Sequence, residues 1–209
     1  MVTAVAPREE RKARLAEAVW RIIAERGISA VSVRTVAAEA GMAVGSLRNL
    51  FSTQAELLEF SAELMVERAA ARVTAITPSA DAVAYALAAI CELMPLTPET
   101  RREFEINVAL IAETPAHPGL ARIRDHAHRQ LLDLFTRIAA MLRGETAAPS
   151  PASSTGGRRL LALVDGLGLH LLHQSAGDDI GWALDIVRDD STGSRTPVPA
   201  TDSRSGSHC

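Results

Sequence analysis

The sequence predicts an all-α protein: an N-terminal three-helix domain followed by a larger helical one. Two observations carry that expectation. Of 209 residues 47% are hydrophobic but only 3% aromatic, and the apolar residues recur at helical spacing between Gly and Pro breaks, with few β-branched runs. A chain of this length can bury two cores, and the division falls at residues 8–53 and 54–190, with 191–209 read as a disordered tail. The net charge of −3 is uneven: up to Ser52 eight basic side chains stand against five acidic ones, +3, which leaves −6 for the rest. A basic head on an acidic body is the asymmetry of a chain that meets phosphate at one end only.

The first helix, RLAEAVWRIIAERG, stops at Gly27. Ser32 is a good N-cap for the second, in which Val33, Val36, Ala37 and Ala40 form an apolar stripe, and Gly41 ends it, because a residue just past a helix often needs a left-handed backbone. The third runs from Val44 to Phe51. At 100° per residue Leu47, Leu50 and Phe51 fall on one side and Gly45, Arg48 and Asn49 on the other, with Val44 and Ser46 on the flanks. One side packs and the other is free to read. A Gly there lets the helix backbone approach a phosphate or base edge, and Arg and Asn can bind guanine and adenine bidentately, the requirements of a helix-turn-helix DNA reader. Ser32, Arg34 and Thr35 on one helix, and Val44, Gly45, Ser46, Arg48 and Asn49 on the next, are the candidate DNA contacts. A solvated surface face is the alternative for them.

Beyond the reader, Ala55 to Val73 reads as one long helix. Asp81 to Leu93 follows, ended by Pro95 and Pro98, then PETRREFEINVALIAET, then a helix ending on Gly144. Residues 145–157, ETAAPSPASSTGG, read as a flexible loop. A last helix pair closes the chain. Its first member carries Leu160, Leu161, Leu163, Val164, Leu167, Leu169, Leu171 and Leu172, which leaves little polar circumference and requires burial on more than one side. Gly166 and Gly168 each cost about 1 kcal/mol relative to Ala in a helix, so close backbone approach is the reason to have them. The surface so buried belongs either to a partner or to a central core helix of one chain.

Several function classes are disfavoured. Cys91 lies in an apolar helical run and Cys209 ends the chain, so neither suggests a disulfide framework, in keeping with a reducing cytoplasm. No apolar run reaches the ~20 residues that span a bilayer, and no signal-peptide core opens the chain. His126 and His128 do not share a helix face; His170 and His173 do, but without a third ligand, so no metal site is expected. Asp125 and His128 can pair across three residues, most simply as a solvated pair. No phosphate loop, nucleophile elbow or carboxylate pair appears, so neither catalytic residues nor a cofactor are expected.

The N-terminal residues resemble the DNA-binding domain of TetR-type transcriptional regulators word by word. The first helix ending at Gly27, the cap at Ser32, the V-A-x-x-A-G of Val36, Ala37, Ala40 and Gly41, the G-x-L-x-x-x-F of Gly45, Leu47 and Phe51, and the Leu57-Leu58 pair match over roughly residues 10 to 65. Arg48 stands where the family often has a phosphate-contacting Tyr, Leu50 where Tyr or His usually precedes the Phe, and Gln54 where a Lys usually opens the fourth helix. The last two changes remove phosphate contacts and imply weaker or more salt-tolerant binding. The last helix pair is similar, more weakly, to the C-terminal domain of the BetI-like subgroup.

The resemblance implies a cytoplasmic, ligand-responsive regulator, a repressor released from a palindromic operator by a small molecule. The implied partners are double-stranded operator DNA, a second copy of the chain and an apolar or amphipathic effector, with no membrane. It places the dimer interface on the last helix pair, at Leu160, Leu163, Val164, Leu167, Gly168, Leu171 and Trp182. It places the effector among the body helices, where Phe60, Leu64, Tyr85, Phe104, Asn107, Ile111, His128 and His170 are the candidates, with core packing as the other role open to each. From another class, an all-helical binding or scaffold protein that has lost DNA binding stays open on Leu50 and Gln54.

Overall fold

A computed structural model describes residues 6–146, 148–175 and 178–193. Among them the chain runs α1 (Ala6–Arg26), a 3-10 turn (Ile28–Ala30), α2 (Val33–Glu39), α3 (Val44–Arg48), α4 (Gln54–Thr74), α5 (Ala82–Cys91), α6 (Pro98–Ala112), α7 (Pro118–Leu142), α8 (Pro151–Leu171) and α9 (Gly181–Gly193), with no strand. None of these helices is long and apolar enough to cross a membrane. The helix starts follow local chemistry. Ser32, Thr53, Asp81, Thr97 and Ser150 each accept a backbone N–H from the first turn of the helix they precede, and Pro98, Pro118 and Pro151 stand in first turns, where no N–H is needed. The stops at Gly27, Gly41 and Gly144 all have φ between 64° and 78°.

Two apolar clusters fill the molecule. One joins Leu15, Val19, Trp20 and Ile22 of α1 to Val36, Leu47, Phe51, Leu57 and Leu58, and continues into Ile106, Leu110 and Leu120 of the body. The reader is therefore mounted on α6 and α7 as well as on α4, and one apolar cluster runs across the division expected at residue 53. The other joins α5, α7, α8 and α9 around Ile90, Met94, Phe135, Ile138, Leu161, Leu171 and Val187.

Two expectations need correction. Residues 151–157 are helical rather than part of a loop, and α9 extends through Ser191 to Gly193, where the tail was expected to have begun; the rest of that expectation, residues 194–209, lies outside the described residues. The early start of α8 has a tertiary cause. A Cβ on Gly157 would lie 2.6 Å from the Thr136 backbone nitrogen, so its lack of a side chain lets α8 close on α7. Glu145 then gathers the turn: it accepts from the Ser153 hydroxyl at 2.7 Å, the Ser150 N–H at 3.1 Å and the Ser150 hydroxyl at 2.8 Å.

Those bonds, that of the Ser153 hydroxyl foremost, favour the ionised carboxyl and hold it at about 2 rather than 4.5. Because the folded value is the lower one, the stabilisation is complete above pH 4.5 and is lost as the pH falls towards 2. Glu145→Gln should lower the melting temperature at pH 7, and the gap from wild type should close on acidification through that window. A gap that stays constant would show that the ionised Glu145 does not hold this turn.

Candidate DNA-reading face and body cavity

The reader is built from short-range signals. Ser32 and Thr35 form a capping box: the Thr35 N–H donates to the Ser32 hydroxyl at 3.1 Å and the Ser32 N–H to the Thr35 hydroxyl at 2.9 Å. The Thr35 hydroxyl also donates to the Ala30 carbonyl at 2.8 Å, so both candidate hydroxyls are engaged in the fold, leaving their exposed edges rather than free donors to DNA. At the other end of α2, Gly41 at φ 64° allows its own N–H to reach the Ala38 carbonyl and the Met42 N–H to reach the Ala37 carbonyl, the Schellman arrangement. Chain direction reverses there.

The next helix, α3, is one turn shorter than expected. It ends at Arg48 with Asn49 as its C-cap, although the Phe51 N–H still donates to the Leu47 carbonyl at 2.9 Å. Leu47 and Phe51 are buried against α1 and α4, whereas Gly45, Ser46, Arg48 and Asn49 are exposed and Val44 is 37% exposed, an aliphatic surface suited to a thymine methyl. Arg34 is exposed at the start of α2. Neither Arg34 nor Arg48 has an ion pair among the described residues, while Arg21 and Arg26 both point to Glu39, at 2.8 and 3.8 Å. The two uncommitted cations thus stand on the same pair of helices as Gly45. Arg48→Ala should weaken specific binding by about 1 to 3 kcal/mol without unfolding; unchanged affinity in a gel-shift titration would remove Arg48 from the interface.

Behind the reader lies a cavity of about 780 Å³, walled by α4, α6, α7 and α8. Phe104, Asn107, Ile111 and His128 line it. Phe60, Leu64, Tyr85 and His170 lie outside it: Phe60 meets the Phe51 ring at a tilt of 46° with centroids 5.2 Å apart and takes Lys12 over its ring at 5.3 Å, Leu64 packs on the reader-side core, Tyr85 is on α5, and His170 is on the exposed side of α8. Sequence reasoning missed the charged wall. Arg72 of α4 pairs with Glu103 at 2.6 Å and Glu92 at 3.3 Å, Arg124 of α7 pairs with Asp125 at 2.6 Å, and Asp165 of α8 also lines the space. One signal for the last was legible: Asp165 is the single carboxylate in the apolar run from Leu160 to Leu172.

The cavity touches the reader through α4. Leu57 and Leu58 in its first turns pack with Leu47 and Phe51, and Ala62, Met65, Ala69 and Val73 further along line the cavity. A second joint runs through α7. The Glu59 carboxylate of α4 sits where a Cβ on Gly119 would be, at the positive N-terminal end of α7, which further along lines the cavity with Ile123, Ala127 and His128.

The expected dimer residues divide. Leu160, Val164, Leu167, Gly168 and Leu171 are buried inside the chain's own core, with Gly168 against the Phe104 ring, so the exposed side of α8 is the opposite one. There Leu169 is 47% and Ile186 of α9 41% exposed, Leu163 and Trp182 are half-buried, and a Cβ on Gly166 would meet nothing within 4 Å. Close approach explains Gly168; among the described residues none comes close enough to Gly166 to explain it in the same way.

A short helix pair that presents a bare Gly and two guanidiniums without ion pairs, set on a helical body with a half-open cavity, has the form of a helix-turn-helix regulator of transcription. Comparison with known proteins gives the family. The family described as "Bacterial regulatory proteins, tetR family" matches residues 15–59, and "BetI-type transcriptional repressor, C-terminal" matches residues 82–189. The HTH-type transcriptional regulator PksA of Bacillus subtilis (strain 168) is 34% identical over 167 residues, 78% of this chain and 80% of that protein. A transcriptional regulator from Rhodococcus sp. Rha1 superposes with a TM-score of 0.76 at 27% identity, over 86% of this chain and 93% of the other. One from Saccharomonospora viridis, solved in complex with choline, gives a TM-score of 0.70 at 20% identity over 87% and 95%. The chain belongs to the TetR family and is a DNA-binding, ligand-responsive transcriptional regulator, which sets aside the scaffold alternative.

Proposed function

We propose that this regulator is a cytoplasmic homodimeric repressor that holds a palindromic operator with two readers and lets go when a small molecule occupies the body cavity. The observation that carries it is the double use of α4, whose early turns back the reading helix while its later turns line the cavity. Two readers joined through the outer faces of α8 and α9 must match half-sites about 34 Å apart or a little more. A ligand that shifts α4 changes their separation and breaks the match. The contacts to DNA come from Arg34, Val44, Gly45, Ser46, Arg48 and Asn49, with Ser32 and Thr35 shaping the turn beside them. The protein acts by binding alone, with no catalytic step. Choline in the Saccharomonospora regulator supports a small-molecule site in a body of this fold.

Coupling of this kind is reciprocal: an effector that weakens operator binding tenfold, about 1.4 kcal/mol, must itself be weakened tenfold by bound operator. N-phenyl-1-naphthylamine, a neutral apolar fluorophore, suits the apolar part of the cavity and brightens on leaving water. Its affinity should fall in the presence of saturating operator duplex by the factor by which the dye lowers operator affinity. Saturable dye binding with no effect on operator affinity would contradict effector release.

A further inference from the structure

The wall of the cavity is not that of a neutral apolar pocket. Five carboxylates, Glu92, Glu103, Asp125, Asp133 and Asp165, line it against three guanidiniums, those of Arg72, Arg124 and Arg137. Arg72 and Arg124 are already engaged by Glu92, Glu103 and Asp125. Asp165 makes no hydrogen bond or ion pair among the described residues. Helices α7 and α8 are antiparallel: Gly157 backs onto Thr136, and eight residues along each chain Asp165 comes level with His128, whose charge it feels. Arg137 lies nine residues beyond His128, about 13 Å along α7, too far to neutralise Asp165 directly.

A second feature converges on the same place. Gly168, one turn from Asp165 on the same helix, has no side chain and lets the Phe104 ring press against the helix; a Cβ there would lie 2.5 Å from the ring tip. An aromatic ring therefore stands beside an unpaired carboxylate. Those are the two groups that hold an organic cation, the first through its π face and the second through charge. Between the charged groups the wall carries hydrocarbon, from Ile111, Leu131, Leu134, Phe135, Leu161 and Val164. Asp165 keeps an exposed edge at the mouth of the cavity, and the wall that partly shields its carboxyl pushes its pKa up against the opposing pull of His128.

We propose that the effector is an organic monocation with an apolar tail, its head held by Asp165 and the Phe104 ring and its tail laid among the leucines of α7 and α8. This rests on the effector-release reading and specifies its ligand. Of the apolar or amphipathic effectors expected from the sequence, a purely apolar one would leave Asp165 without a partner.

The test uses three amphiphiles with one tail and three charges, octyltrimethylammonium, 1-octanol and octanoate, titrated calorimetrically into the full-length protein. The cation should bind at least about tenfold more tightly than the alcohol, with octanoate weakest. Asp165→Asn should bring the cation-to-alcohol ratio close to one, and Asp165→Glu should restore most of it, so that a general packing defect is distinguished from loss of charge. A ratio near one in the wild type, a ratio that survives Asp165→Asn, or failure of the cation to bind would overturn the proposal. Operator titrations with the same compounds keep the two readings separate. Release of operator by all three alike removes the charge preference and leaves effector release standing, whereas selective cation binding with no change in operator affinity does the reverse.

Discussion

Gly45→Glu should abolish specific DNA binding while leaving the protein folded. A Cβ at Gly45 meets nothing within 4 Å, the residue is exposed and its backbone is helical, so the body of the molecule has no reason to object. Glu is also a better helix former than Gly by roughly half a kcal/mol or more. On the DNA side the change is severe. The new side chain stands between α3 and the groove, and its carboxylate faces phosphates, a like-charge juxtaposition worth several kcal/mol. Operator affinity should fall by at least about 100-fold with unchanged circular dichroism, and Gly45→Ala, which adds bulk without charge, should lie in between. Wild-type affinity in Gly45→Glu would move the reading face elsewhere.

The second large effect concerns assembly, and it separates two sides of one helix. Leu167 is 6% exposed and packs in the core of its own chain, so Leu167→Glu buries an unpaired carboxylate and should unfold the body. Leu169 and Ile186 point outwards. If the outer faces of α8 and α9 join two copies about a two-fold axis, each substitution appears twice in the interface. At roughly 2 kcal/mol per copy, Leu169→Glu should weaken dimerisation by about 4 kcal/mol, near a thousandfold, and should lose operator binding with it. The expected product is a folded monomer by sedimentation with a normal melting transition. A Leu169→Glu, Ile186→Glu double variant that stays dimeric would exclude this face.

The reader was legible because its determinants are local. A cap at Ser32, a left-handed Gly at 41 and apolar spacing at Val36, Leu47 and Phe51 act within a few residues, and the structure has them as read. The start of α8 was not legible. Pro-Ser-Pro-Ala-Ser-Ser-Thr-Gly-Gly has loop composition, and only the contact of Gly157 with Thr136 and the bonds to Glu145 make it a helix. The inward face of α8 illustrates the same limit. An all-round apolar helix announces burial on two sides, but which leucines meet the chain's own core depends on where α7 and α9 lie. The cavity, too, gathers residues from four helices, so Phe104, Asn107, Ile111 and His128 were within reach as conspicuous single residues, whereas Arg72, Glu103 and Asp165 acquire meaning only through one another.

The central claim is that α2 and α3 of two joined copies read DNA, and the most direct measurement is a fluorescence-anisotropy titration of the full chain on duplex DNA from upstream of its own coding sequence, over a salt series. Binding should show two chains per palindromic site or a multiple of two, and log affinity should fall linearly with log salt. The slope should be shallow, because Leu50 and Gln54 lack the phosphate-binding groups usual at those positions and Arg34 and Arg48 carry the charge. Affinity should exceed that for a shuffled duplex by about a thousandfold or more. Binding no tighter to the upstream duplex than to shuffled DNA, or a stoichiometry of one chain per site, would contradict it.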